Sequence, residues 1–184
     1  MPPCLDVYVL SDLRQLETVE RFLSEFSGST PSEDRTGEEL MLLPLGAQRE
    51  PTRLEDHEWQ PITTLREALR RGLDHPYRAF RIYLKPSPGL YQAMLGFRED
   101  GRIVFGVSID DPDESDDSLK LAKSLLARLA DEFHGLAGFV GWEVPAPLVG
   151  AGFPPPDQGP ALVTWQRNAL GGSPNPSLQR TPPG

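Results

Sequence analysis

Between Tyr77 and His134 the chain runs through three segments of strand character, an acidic run and a long stretch of helical period. Tyr77 to Leu84 (YRAFRIYL) and Leu90 to Arg98 (LYQAMLGFR) are rich in aromatic and other β-compatible residues. Lys85-Pro86-Ser87-Pro88-Gly89 separates them and reads as a loop, because each proline lacks an N–H and restricts the residue before it. Phe80, Ile82 and Leu84 fall on one face of the first segment, opposite Arg81 and Tyr83. Tyr91, Ala93, Leu95 and Phe97 share one face of the second. Asp100-Gly101 lies between Phe97 and Ile103, and a D-G pair between apolar runs signals a hairpin whose turn needs positive φ. An antiparallel meander is expected, each strand with a buried face.

The third segment, Ile103 to Ile109 (IVFGVSI), is almost continuously apolar, which suits a central strand covered on both faces or one lying under a helix. Gly106 is a candidate bulge. Beyond the acidic run, Ser118 is a candidate N-cap for a helix to His134, with Leu119, Ala122, Leu125, Leu126, Leu129, Ala130 and Phe133 at helical spacing and Gly135 as the stop. Three consecutive strands followed by a long amphipathic helix, joined by tight loops, define the expected class: α+β, a largely antiparallel sheet with about three amphipathic helices packed mainly on one face.

The remaining segments fit that class. Leu5 to Leu10 (LDVYVL) alternates as a strand, and Ser11 is positioned to cap a helix whose face carries Leu13, Leu16, Val19, Phe22, Leu23 and Phe26, ended by Gly28. Leu40 to Leu45 reads as a short strand, Gly46 to Pro61 as a long surface loop. Thr63 or Thr64 opens a third helix with Leu65, Ala68, Leu69, Gly72 and Leu73 on its apolar side. Leu136 to Val144 and Ala161 to Gln166 are two further strands joined by a proline-rich connection. With 184 residues, 38% of them hydrophobic, the expectation is one globular domain over residues 1–170. Residues 171–184 (GGSPNPSLQRTPPG) lack an apolar pattern and read as a disordered tail.

Charge narrows the function classes. The formal charge of −9 argues against nucleic acid as a partner, which needs a large basic surface. The N-terminus lacks the charged and apolar regions of a secretory signal, and no apolar run reaches membrane-spanning length, so a cytoplasmic, non-membrane protein is expected. Cys4 is the only cysteine, which rules out an internal disulfide and any multi-cysteine metal site; it reads as a strand thiol. Residues 61–109 carry eight Arg or Lys against four Asp or Glu, whereas residues 110–147 carry three against nine. A basic middle is flanked by acidic segments.

The densest acidic run is Asp110 to Asp117 (DDPDESDD). Asp111, Asp113, Ser115 and Asp117 alternate like the start of an EF-hand loop, but Asp116 stands where that loop needs glycine and Ala122 where it needs glutamate. No metal is expected there. Solvation, with the last acids favouring the helix N-terminus, is the plain alternative to partner docking. Asp110, Asp111, Asp113, Glu114, Asp116 and Asp117 are the first candidates for docking a basic protein, and Glu55, Asp56, Glu58 and Trp59 the second. An alternative anion site draws on Arg66, Arg70, Arg78, Arg81 and Lys85, set against the plain reading of cations solvating a helix face.

His57, His75 and His134 lack zinc spacing, and Trp142 reads as a packing residue. No nucleophile motif or phosphate-cradling glycine loop is present, so neither a cofactor nor a catalytic residue is assigned. An enzyme assembled from distant positions is the remaining reading.

The succession YRAFRIYLKPSPGLYQAMLGFREDGRIVFGVSIDD, an acidic loop, an amphipathic helix and then GFVGWEVPAP resembles, across about residues 5–147, small bacterial immunity proteins that neutralise polymorphic toxins. The resemblance lies in layout and carries no diagnostic motif. It implies a non-enzymatic cytoplasmic protein that binds and blocks a cognate toxin, and it transfers no functional residue.

Overall fold

Alternation of apolar residues along Leu5–Leu10, Phe80–Leu84 and Ala93–Phe97 creates strands that need one buried face, and the chain satisfies them in a single sheet. The computed structural model describes residues 3–28, 41–42, 60–61, 64–75, 79–111, 113, 115–144, 152–154 and 161–167. In chain order its elements are β1 (Cys4–Ser11), α1 (Leu16–Phe26), β2 (Met41–Leu42), β3 (Gln60–Pro61), α2 (Leu65–Asp74), β4 (Phe80–Leu84), β5 (Gln92–Phe97), β6 (Ile103–Asp110), α3 (Asp116–Glu132), β7 (Gly135–Trp142) and β8 (Val163–Gln166). Six strands form one sheet in the order β4-β5-β6-β1-β7-β8, and β2 pairs with β3 in a separate ribbon. Every described pairing is antiparallel.

The buried residues of all three helices belong to one core. Leu5, Val7 and Val9 of β1, Phe105 and Val107 of β6, and Phe80 and Ile82 of β4 meet Val19, Phe22, Leu23 and Phe26 of α1, Leu65, Ala68 and Leu69 of α2, and Ala122, Leu126 and Leu129 of α3. Phe22 stands at the centre, with ring centroids 5.2 Å from Phe105, 5.3 Å from Phe26 and 5.7 Å from Phe133. The three-helix, antiparallel α+β architecture expected from the sequence is the one observed.

α1 and α3 are also tied at their outer rims. Arg128 lies 2.6 Å from Glu25 and 2.8 Å from Glu132, and Arg21 lies 3.2 Å from Glu25. Arg128 stacks over Phe26 and Arg21 over Phe133. This network is half-exposed, so it orients the helices more than it stabilises them.

The opposite face of the sheet carries the alternate residues. Tyr8, Leu10, Met94, Val104 and Phe139 cluster there with Ala79 and Val144, and half-buried Tyr83, Phe153 and Ala161 pack on them. β6 is thus covered on both faces, as its apolar run implies.

Several local expectations change. α3 begins at Asp116, not at Ser118: Ser115 is the N-cap, its hydroxyl accepting from the Ser118 N–H at 3.1 Å. The positive-φ residue after α3 is His134 (φ 50), so Gly135 is free to open β7. Ser11 is the last residue of β1, and Gln15 precedes α1. Leu16 is half-exposed, and α1 ends at Phe26 with Ser27 extended, before Gly28. Gln60 and Pro61, expected in a loop, pair with Leu42 and Met41.

Gly106 is not a bulge. It pairs in register with Tyr8, and a Cβ there would stand 2.6 Å from the Tyr8 ring. The glycine makes room for an aromatic ring on the neighbouring strand. The Asp100-Gly101 hairpin does form, with Gly101 at φ 82 and the Arg98 N–H bonded to the Arg102 carbonyl. Tyr77 and the tail, residues 171–184, lie outside the described residues.

Candidate functional site

The acidic run occupies the connection from central strand β6 to the N-terminus of α3. Asp110, Asp113, Asp116 and Asp117 are exposed there, whereas Asp111 is buried. Asp111 therefore departs from the docking set. Its Oδ1 accepts from the Ser115 N–H at 3.0 Å, and its own N–H donates to the Pro3 carbonyl at 3.0 Å. One carboxylate braces the loop while its neighbours face water. Asp116 and Asp117 lie in the first turn of α3, where unbonded N–H groups favour negative charge. The Asp117 carboxylate is 90% exposed and meets Lys120 at 2.7 Å. Glu114 and the second docking group, Glu55, Asp56, Glu58 and Trp59, lie outside the described residues.

The candidate anion-binding residues are not brought together. Arg66 and Arg70 are exposed on α2, on the helical side. Arg81 alternates with Phe80 and Ile82 of β4 and so faces the other side of the sheet, where its Nη1 donates to the Tyr83 hydroxyl at 3.0 Å. Lys85 is exposed in the β4–β5 loop, and Arg78 lies outside the described residues. Among the described residues no group of three or more His, Cys, Asp or Glu is gathered closely enough to hold a metal ion.

The second face of the sheet carries a polar cluster that no sequence motif marks. Asp6 of β1 is 6% exposed. Its Oδ1 accepts from the Ser108 hydroxyl at 2.5 Å and lies 3.8 Å from the Cys4 sulfur, and its carboxylate also accepts from the Val144 N–H. All three donors are uncharged. Burial therefore pushes the Asp6 carboxyl up to about 6, against the opposing pull of the Ser108, Val144 and Cys4 hydrogen bonds. Burial, followed by the negative charges of Asp6 and Glu143, pushes the Cys4 thiol up to about 11. Such a thiol is almost wholly un-ionised at neutral pH and a poor nucleophile. Burial also raises Tyr8 well above its ordinary value. The signal in the sequence was a single acid inside the apolar strand LDVYVL.

Fold and surface together define a class, an α+β protein with an acidic loop braced at one end of its sheet. Beyond that class, no family model, no curated protein and no solved structure matches the chain. Among the described residues, no helix is long and apolar enough to cross a membrane.

Proposed function

We propose that this chain is a non-enzymatic binding protein that captures a basic protein partner through the β6–α3 loop, in the manner of the toxin-neutralising immunity proteins that its layout resembles. The observation that supports this reading is the division of labour within the loop. Asp111 and Ser115 spend their hydrogen bonds on holding the backbone, and Asp110, Asp113, Asp116 and Asp117 are left facing solvent. A braced loop loses little conformational freedom when a partner docks. Clustered like charge on it accelerates the approach of an oppositely charged protein. The Asp117–Lys120 pair does not oppose this, because an exposed pair is worth at most about 1 kcal/mol and exchanges readily for a partner's cation.

The test is affinity capture with the full chain, identification of a basic protein among the retained species, and stopped-flow association with that protein. Reversing Asp113, Asp116 and Asp117 to lysine is expected to slow association at least about tenfold at low salt and to flatten its salt dependence. All three side chains are exposed, so the far-ultraviolet spectrum stays that of the parent. An association rate indifferent to both charge reversal and salt would remove this reading.

A further inference from the structure

The chain leaves the sheet after β7 through a turn held at three points. Glu143 adopts φ 46, a left-handed conformation that is strained for a non-glycine residue. Its N–H bonds to the Cys4 carbonyl at 3.1 Å. The next N–H, that of Val144, donates to the Asp6 carboxylate. The Val144 side chain then fills the space above Gly141, where a Cβ would stand 2.5 Å from its Cγ2. Asp6 in turn is braced by Ser108 from β6. One buried carboxyl thus joins β1, β6 and the residues that follow β7.

We propose that Asp6 is a proton-operated latch, holding the Glu143–Val144 turn closed over the second face of the sheet when its carboxyl is neutral and releasing it when the carboxyl ionises. In the closed turn the carboxyl has only uncharged donors, so ionisation leaves a desolvated negative charge without a counter-cation. The neutral form keeps the turn in place: one oxygen still accepts from Val144 while the acid proton is donated to the Ser108 oxygen. Opening the turn admits water to the carboxylate, and water solvates it better than the two hydroxyl- and thiol-bearing neighbours do.

The titratable and charged groups around the latch are Cys4 and Tyr8 on β1, Asp110 on β6, Glu143 after β7, and Arg81 with Tyr83 on β4. Strand β5 adds the uncharged Gln92 opposite Ser108. Of the charged groups, Glu143 pushes in the same direction as burial.

The sign follows from proton counting. The closed form binds a proton up to about pH 6; a solvated aspartate releases its proton near 3.8. Closure is therefore favoured fully below the lower value and is progressively lost as pH rises to the upper one. The change in the open-to-closed ratio between about pH 4 and 7.5 is on the order of 50-fold.

The experiment is amide hydrogen exchange on the full chain, followed by NMR as protection factors at Glu143 and Val144, together with the carboxyl-carbon titration of Asp6. Protection at both amides is expected to fall about 50-fold across that range, most of it between about pH 4 and 6, and to level off above the Asp6 titration. In Asp6→Asn the change shrinks to less than about threefold. Ser108→Ala removes the hydroxyl that donates to the ionised form and accepts from the neutral one but keeps the carboxyl, so the loss of protection must shift together with the Asp6 titration, and this decides the matter even where Asp6→Asn does not fold. Protection that stays constant between about pH 4 and 6, or a loss of protection that does not follow the Asp6 titration in Ser108→Ala, overturns the latch.

Discussion

Arg14→Ala is expected to lower the unfolding free energy by about 4 kcal/mol, one of the largest losses available to a single surface-connected side chain in this fold. The Arg14 guanidinium joins the end of α2, the residue that follows it and the β5–β6 hairpin. It donates to the Gly72 carbonyl in α2 through both Nε (2.8 Å) and Nη2, and to the His75 carbonyl just after that helix at 3.0 Å. It also donates to the Arg98 carbonyl at the β5–β6 hairpin at 2.8 Å. Its carbon lies 5.0 Å from the centre of the Phe97 ring. The carbonyls at the end of α2 have no partner inside the helix, so a planar cation with several fixed donors is well matched to them.

Charge-assisted hydrogen bonds contribute about 1.5–3 kcal/mol each, and water replaces the more exposed of these when the side chain is removed. Burial draws the half-buried guanidinium down to about 10, against the opposing charge of Asp100. With a urea dependence of roughly 2 kcal/mol per molar, the unfolding midpoint should fall by about 2 M. Arg14→Lys should recover less than half of the loss, since a single ammonium does not reach both helix end and hairpin. A loss below about 1 kcal/mol would show that helix end and hairpin hold together without it.

Nothing around Arg14 announces this role. Asp12-Leu13-Arg14-Gln15 has no period and no motif, and the partners are 58 to 84 residues away in sequence. What the sequence does display is local. The alternation in β4 and β5, the D-G turn, the Thr64 cap and the helical stripes of α2 and α3 all follow from short-range sterics and periodicity, and each is present. The insertion of β1 between β6 and β7 rests on pairings between residues about 100 positions apart, such as Val7 with Val107, and no local pattern encodes that choice.

The same divide runs through the candidate site. The acidic loop was legible as a run of like charge, but the withdrawal of Asp111 into a brace depends on where Ser115 and Pro3 fall. Arg66 and Arg81 looked like one basic region on the strength of their closeness in sequence, and the sheet separates them. Asp6 was visible as an anomaly, a charge in an apolar strand. Its chemistry came only from the donors that converge on it from β6 and from beyond β7.

Leu126→Arg is expected to abolish the folded state, costing at least about 5 kcal/mol in a fold of this size whose whole stability is of the order of 5–15 kcal/mol. Leu126 is 4% exposed, on the face of α3 that meets the sheet. Its Cδ1 sits 2.6 Å from the place a Cβ would occupy on Gly138, and that same place is 2.9 Å from the Tyr8 carbonyl oxygen and 3.2 Å from Val9. The leucine thus descends onto bare backbone. Removing it forfeits about 2–5 kcal/mol of burial and packing. A guanidinium in its place would sit among the apolar residues of the core, and must either remain there desolvated or lift α3 from β1 and β7. Circular dichroism in urea should show no cooperative transition for Leu126→Arg, while Leu126→Ala stays folded with a lower midpoint. Gly138→Ala supplies the check on the cause. Its cost should fall by about 1 kcal/mol when Leu126 is already alanine, because the side chain that would collide is gone. If the two substitutions simply add, the close approach of Leu126 to Gly138 is not what seats α3, and the intolerance of arginine comes from lost burial together with its charge.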